Sequence, residues 1–121
     1  MSLLAGKKIL LGISGGIAAY KTPLLVRLLI KQGATVRVVM TPAATDFVTP
    51  LTLSVVSQNE VLSTFTSPAT DHEVWNDHVE LGSWGDVFLI APATANTLSA
   101  MAHAKCNNLL IATYLSARCP V

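Results

Sequence analysis

A strand, a glycine-rich turn and a helix follow one another near the start of the chain, and this unit constrains the fold most. Lys8 to Ile13 is a short apolar run, Ser14-Gly15-Gly16 is a tight turn, and the stretch from Ile17 to Gln32 has apolar residues at helical spacing. Gly33 is a typical signal for the end of that helix. Pro23 must remove one backbone hydrogen bond, so we expect an irregular first turn.

The same alternation continues along the chain. Each later strand candidate is a short apolar or β-branched run, and each helix candidate starts at a capping residue. The predicted strands are Thr35–Met40, Glu60–Phe65 and Asp86–Ile90, and the predicted helices start at Thr41-Pro42, Thr49-Pro50 (ending near Ser57), Thr94 and Asn107 (ending near Ser116). The segment 66–77 lacks any period and is predicted to be a loop.

Alternating strands and helices imply an α/β fold, a Rossmann-like doubly wound parallel sheet in a single domain over residues 1–121. The chain is 51% hydrophobic and only 12% charged. No apolar run reaches the roughly 18 residues of a membrane span, so we assign the excess to a sheet buried on both faces and to subunit interfaces. The last residues, 118–121, read as a loop entering a further strand, and we expect a sheet that is incomplete at its C-terminus or covered by a partner chain.

Charge and cysteine content exclude several classes of function. A formal net charge of +1 gives no case for nucleic-acid binding, and the two cysteines, Cys106 and Cys119, have no metal-ligand or disulfide spacing. A reducing cytoplasm is therefore the expected location. Six basic residues and no acid fall within the first forty positions, which favours attraction of a phosphorylated ligand, although solvated positions explain most of them equally well.

Three segments should meet where the parallel strands end, because ligands of such sheets bind at that edge, beside the N-termini of helices. They are residues 12–17 with the glycine-rich turn, 40–42, and 91–97 with Thr94, Asn96 and Thr97. Glycines let the backbone approach a phosphate, and the hydroxyl and amide side chains can donate to it. Each of the three segments alone is weak evidence for a ligand, but their predicted position at the same edge of the sheet favours a binding site.

The sequence lacks residues that two common nucleotide-binding motifs require, and this restricts the kind of nucleotide that the chain is expected to bind. A dinucleotide fingerprint, G-x-G-x-x-G, needs its middle glycine where Ser14 stands and an acid where Thr41 ends the second strand. A Walker-type Gly-Lys-Ser/Thr is absent from the sequence as well. A mononucleotide is therefore favoured over NAD or ATP.

Several motifs of the chain resemble those of a known protein family. Residues 12–21 (GISGGIAAYK), 39–44 (VMTPAA), 47–52 (FVTPLT), 78–81 (HVEL) and 91–97 (APATANT) look like those of the homo-oligomeric flavin-containing cysteine decarboxylases. The similarity runs from about Lys7 to the last residue. It implies non-covalently bound FMN and a homotrimer or trimer-based assembly with flavin at a subunit interface.

Within this family the motifs look most like those of the branch that acts in coenzyme A biosynthesis. The resemblance therefore implies FMN-dependent decarboxylation of 4′-phospho-N-pantothenoylcysteine to 4′-phosphopantetheine. The flavin takes up and returns electrons, and the protein supplies orientation and proton transfer. His78 matches the catalytic histidine of the family, and an imidazole can accept and return a proton near neutral pH. The resemblance assigns cofactor contacts to Ser14, Gly15, Gly16, Ile17, Thr41, Phe47, Pro92, Ala93, Thr94, Asn96 and Thr97. No metal is expected, and core packing is an equally fair account of Phe47.

The sequence departs from the family pattern in two places, and two alternative functions remain open. The Pro-x-Met-Asn segment and the later cysteine of the family would lie beyond Val121, and Cys106 and Cys119 do not replace that cysteine. One rival is a flavin prenyltransferase-like enzyme, although those proteins tend to carry Gly-Ala-Ser-Gly where this chain has Ser14-Gly15-Gly16. The other is a non-catalytic, FMN-binding regulatory subunit of the same fold.

Overall fold

The computed structural model describes residues 3–64, 66–67, 74–75 and 78–121. Its strands are β1 (Lys8–Ile13), β2 (Thr35–Met40), β3 (Thr66–Ser67), β4 (Val74–Trp75) and β5 (Val87–Ile90). Its α-helices are α1 (Thr22–Lys31), α2 (Pro50–Ser57), α3 (His78–Trp84), α4 (Ala95–Ala102) and α5 (Leu109–Leu115), and short 3₁₀ helices cover Ile17–Lys21 and Pro42–Asp46. Within the described ranges, no helix has both the length and the apolar character needed to span a membrane.

The main sheet is parallel, with the strand order β2-β1-β5. Leu10 of β1 lies between Arg37 of β2 and Phe88 of β5. Beyond β2, the predicted strand 60–65 forms a single parallel bridge at Leu62, whose carbonyl accepts from the Met40 N–H at 2.8 Å; Phe65 lies outside the described residues. On the other side, the Pro120 carbonyl accepts from the Phe88 N–H at 2.9 Å, so the chain after α5 returns to the open edge of β5.

Helices cover both faces of the sheet, which confirms the Rossmann-like α/β fold. Side chains of a strand alternate between faces, so β1 sends Ile9, Leu11 and Ile13 into one core and Leu10 into another. The first core is closed by residues of α1 and α2, and the second by residues of α3, α4 and α5. β1 is therefore the buried centre of a three-layer arrangement, and its apolar run follows from burial on both faces.

The first unit forms largely as its sequence predicts. A 3₁₀ turn precedes α1, and Pro23 lies in the first turn of α1, where its missing N–H has no intrahelical partner to lose. Gly33 has a φ of 96°, a left-handed conformation that glycine adopts without steric cost. The glycine stop is confirmed, and an irregular 3₁₀ turn does open this stretch, but the expected loss of a hydrogen bond at Pro23 was wrong because the α-helix begins only one residue before it.

Two further parts of the prediction were wrong. No helix is predicted between residue 77 and the strand at Asp86, but His78 is the first residue of α3, a helix that the sequence analysis missed. Residues 66–67 and 74–75 pair as an antiparallel hairpin, β3 with β4, within the segment predicted as an irregular loop. Seven residues that include Gly82 and β-branched Val79 have little intrinsic helical tendency, so packing rather than local preference forms α3.

Candidate functional site

In the described part of the chain, an open cavity of about 350 Å³ lies at the carboxyl edge of the sheet. Its wall is built by the loops after β1, β2 and β5, by α4 and by the turn before α5. The lining residues are Gly15, Thr41, Pro42, Ala43, Thr94, Asn96, Thr97, Ala100, Asn107 and Asn108. The expected convergence of the three segments around one hollow is therefore confirmed.

Gly15 brings the first loop against the second. A Cβ atom at this position would lie 2.9 Å from the carbonyl carbon of Ala43 and 2.7 Å from its Cβ, distances at which something must shift. At Gly16 the nearest atom to such a Cβ would be Cγ2 of Thr94, at an ordinary 3.4 Å. The close approach of the two loops thus depends on Gly15, whereas Gly16 leaves space toward Thr94.

Ser14 joins the first loop to the third. Its hydroxyl donates to the Pro92 carbonyl and accepts from the Thr94 N–H at 2.9 Å, and its own N–H donates to the Pro92 carbonyl at 3.2 Å. The residue is fully buried. Because the hydroxyl proton is engaged with Pro92, Ser14 positions the two loops in this structure and does not present a donor to a ligand.

The helical segments at this edge differ in how their N-termini are capped. Thr41, Thr94 and Asn108 each accept a hydrogen bond from a backbone N–H of the segment that they begin, at Ala44, Thr97 and Ile111. Among the described residues, none caps the 3₁₀ segment Ile17–Lys21 by a side chain, and Gly16 precedes it in an extended conformation. Its first N–H groups lack intrahelical acceptors and can therefore donate to an anion.

Asn107 and Asn108 are cavity residues that the sequence analysis missed. Oδ1 of Asn108 accepts from the Ile111 N–H at 3.0 Å, and Nδ2 donates to Oδ1 of Asn107 at 3.2 Å. This pairing turns the amide oxygen of Asn107 toward its neighbour and leaves the Asn107 NH₂ group oriented as a donor. An N-cap asparagine that begins a helix at this edge was the available signal.

The remaining cofactor candidates lie outside the cavity wall. They are Ser14, Gly16, Ile17, Phe47, Pro92 and Ala93. Ile17 is 80% exposed, Phe47 is 44% exposed at the end of the second 3₁₀ helix, and Pro92 lines a smaller apolar cavity of about 200 Å³ with Lys21 and Leu25. The structure thus brings Gly15, Thr41, Thr94, Asn96 and Thr97 together, and leaves Ile17 and Phe47 directed at solvent.

His78 is half-buried at the start of α3 and does not line this cavity. His103, interpreted as structural, ends α4 and has its Nδ1 2.9 Å from the Ser99 carbonyl oxygen. His72 lies outside the described residues. Among those described, no three His, Cys, Asp or Glu side chains are grouped closely enough to hold a metal ion.

A model of the flavoprotein family matches residues 2–120. The chain belongs to the flavoprotein family. It is 50% identical to the coenzyme A biosynthesis bifunctional protein CoaBC of Vibrio cholerae over all 121 residues, and 49% identical to the Escherichia coli protein of that name over 118 residues. It spans 30% and 29% of the length of these two relatives.

Solved structures agree with this membership. The FMN-dependent cysteine decarboxylase SpaF is 33% identical with a TM-score of 0.84, covering 97% of this chain and 66% of its own. A variant of PPC decarboxylase complexed with pantothenoylaminoethenethiol is 31% identical with a TM-score of 0.70, covering 93% and 61%. The resemblance to flavin-containing cysteine decarboxylases is thereby confirmed.

Proposed function

We propose that this chain is the FMN-binding part of a phosphopantothenoylcysteine decarboxylase, which converts 4′-phospho-N-pantothenoylcysteine to 4′-phosphopantetheine in coenzyme A biosynthesis. The observation that carries the proposal is the single cavity in which three strand ends meet, in a chain 50% identical to a CoaBC protein. A cavity of about 350 Å³ falls within the size range of cofactor sites, near its lower end.

The residues present fit a flavin nucleotide. Gly15 and Thr41 line the cavity, and we propose that they hold the phosphate together with the uncapped N–H groups that follow Gly16 in the same loop, since glycine allows close backbone approach and free N–H groups favour an anion. Asn96, Thr97 and Asn107 offer donors and acceptors along the rest of the wall. FMN, when bound, supplies reversible two-electron chemistry that the side chains of this chain lack.

The protein's own part in the reaction is orientation and proton transfer. His78 is proposed to hold and return the proton of the substrate thiol, because an imidazole exchanges protons near neutral pH. Since His78 does not line the described cavity, we infer that the substrate reaches beyond that cavity or that the imidazole serves a neighbouring copy's site.

We propose a homo-oligomer, a homotrimer or trimer-based assembly, and the exposed apolar side chains support self-association. Leu24 and Leu28 of α1 are 58% and 52% exposed, and Tyr20, four residues before Leu24 in the preceding 3₁₀ segment, is 61% exposed. Leu51 and Val55 of α2 are 73% and 69% exposed. α1 and α2 lie on one face of the sheet and pack against the same core. Apolar stripes of this kind are typical of an interface between copies.

The decisive experiment measures both the flavin spectrum of the purified protein and its decarboxylation of the substrate. The purified full-length polypeptide should be yellow with an FMN spectrum, and should release CO₂ from 4′-phospho-N-pantothenoylcysteine. His78→Asn should retain the flavin and lose at least about a hundredfold in kcat, the size of a general acid–base contribution. His103→Asn, an exposed control at the end of α4, should match the wild type.

Three results would count against the proposal. A colourless protein that takes up no added FMN would remove the cofactor site. Unchanged turnover in His78→Asn would remove His78 from its role. FMN binding without any decarboxylation by the wild type would favour the non-catalytic subunit.

A further inference from the structure

The orientation of α3 depends on its contacts with the rest of the molecule. A helix of seven residues is too short to persist alone. On one side, Gly82 packs so closely against α5 that a Cβ atom there would lie 2.6 Å from the Ser116 carbonyl oxygen, and the Gly82 carbonyl accepts from the Arg118 N–H at 3.0 Å. Leu81 is buried in the second core. These contacts hold the side of the helix that faces α5 and the second core.

Arg37 of β2 holds the other side of α3. Its Nη1 donates to Oε1 of Glu80 at 2.9 Å and to Oε2 at 3.2 Å, and its guanidinium lies 5.2 Å from the centroid of the Trp84 ring. Glu80 and Trp84 are four residues apart and therefore share one face of the helix. A single planar cation thus contacts two successive turns of α3.

His78 lies on the face opposite this contact. It is four residues before Gly82, so it shares the face turned toward α5, and it is two residues, about 200°, from Glu80. Any rotation of α3 that separates Glu80 and Trp84 from Arg37 must swing the His78 imidazole by the same angle. The direction of that imidazole is therefore coupled to an ion pair on the far side of the helix.

We propose that Arg37 is a positioning residue for His78, acting through Glu80 and Trp84 on the rotation of α3; this inference rests on the proposed function. The side chains of Arg37 and Glu80 are 24% and 51% exposed, and ion pairs this exposed contribute little to overall stability. A positioning role therefore predicts a loss of turnover much larger than the loss of stability. A guanidinium suits the role because it can stack on the indole and pair with the carboxylate at once.

The test uses Arg37→Met in the full-length protein, which keeps the aliphatic stem over Trp84 and removes the charge. We expect kcat to fall by about tenfold, with KM and FMN affinity within about twofold of the wild type, because a small misplacement of a catalytic group costs rate more than binding. Arg37→Lys should recover part of the loss. Adding Glu80→Gln to Arg37→Met should cause little further loss, since the two side chains act as a unit. Lys7→Met, an exposed cation before β1, is the matched control and should behave as the wild type.

A second measurement does not need turnover. In ¹H–¹³C spectra of the histidine rings, the His78 signal, assigned by its loss in His78→Asn, should shift in Arg37→Met, while the His103 signal should stay. An unmoved His78 signal with kcat equal to that of Lys7→Met would overturn the inference. If instead the wild type does not decarboxylate, the proposed function fails, and the ring signal still decides whether Arg37 positions His78.

Discussion

Gly15 and Gly16 are neighbours in sequence, but a methyl group at each would meet different surroundings. At Gly15 it would press on the backbone of Ala43, and at Gly16 it would only touch Cγ2 of Thr94. Gly16 also has an extended backbone, with φ −139°, that alanine adopts freely. The two positions therefore form a natural pair of variants that differ in packing and share a loop.

We expect Gly15→Ala to lower the free energy of unfolding by about 1–3 kcal/mol, the usual cost of overpacking, and to weaken FMN binding by separating the loops after β1 and β2. Gly16→Ala should change the free energy of unfolding by less than about 1 kcal/mol. Urea denaturation and fluorescence titration with FMN measure the two effects. Equal destabilisation by both variants would show that the contact with Ala43 is not what requires glycine.

For individual residues, the sequence predicted which strand ends meet at the cavity, but it did not predict what Ser14 and Asn107 do there. Gly15, Thr41 and Thr94 could be placed together because each follows a predicted strand, and strand ends of a parallel sheet share an edge. The bracing role of Ser14 could not be predicted, because its partners at Pro92 and Thr94 are about 80 residues away in sequence. Asn107 was missed for the same reason, since its place in the wall depends on how α5 packs.

Among the elements, α5 is the one whose start affects both the core and the cavity. Leu109, Leu110 and Ile111 at its first turn are fully buried, and Asn108 caps that turn. The loss of the cap would leave the Ile111 N–H without its side-chain acceptor at the start of a buried turn.

We therefore expect Asn108→Ala to lower the free energy of unfolding by about 1–2 kcal/mol, the upper part of the range for N-cap substitutions. Asn108→Asp, which keeps an accepting oxygen at the N-terminus of α5, should retain most of the stability. Chemical denaturation followed by circular dichroism compares the two. If Asn108→Asp is as unstable as Asn108→Ala, the cap is not the reason for the loss.

Elements with local signals were predicted well, and those without them were not. Thr49-Pro50 gave the start of α2 correctly, because a capping hydroxyl and a proline at the first turn act within a few residues. The helix α3 has a weaker signal, because Asp77, a residue type that favours N-caps, precedes His78 in the sequence but no proline follows it and Gly82 interrupts the helical pattern, so its contacts with β2 and α5 reveal it. The hairpin β3–β4 pairs only two residues on each side, too few for a periodic pattern.

For the whole molecule, the exposed stripes on α1 and α2 predict self-association. The wild type should elute as an oligomer, and Leu24→Glu combined with Leu51→Glu should shift it toward monomer, because two buried carboxylates at an interface are costly. Light scattering during size-exclusion chromatography measures the mass. Leu3→Glu changes an equally apolar and 75% exposed residue outside α1 and α2, so it should leave the mass unchanged. A monomeric wild type at high concentration would contradict the interface.

The hydrogen bonds of Ser14 couple the motions of two loops. Because one hydroxyl bridges the turn after β1 and the segment 92–94, neither can open without releasing the other. A ligand bound against Gly15 should therefore slow amide hydrogen exchange at Thr94 on the opposite wall. Ser14→Ala, which keeps only the backbone bond from residue 14 to the Pro92 carbonyl, should weaken this coupling between the two loops.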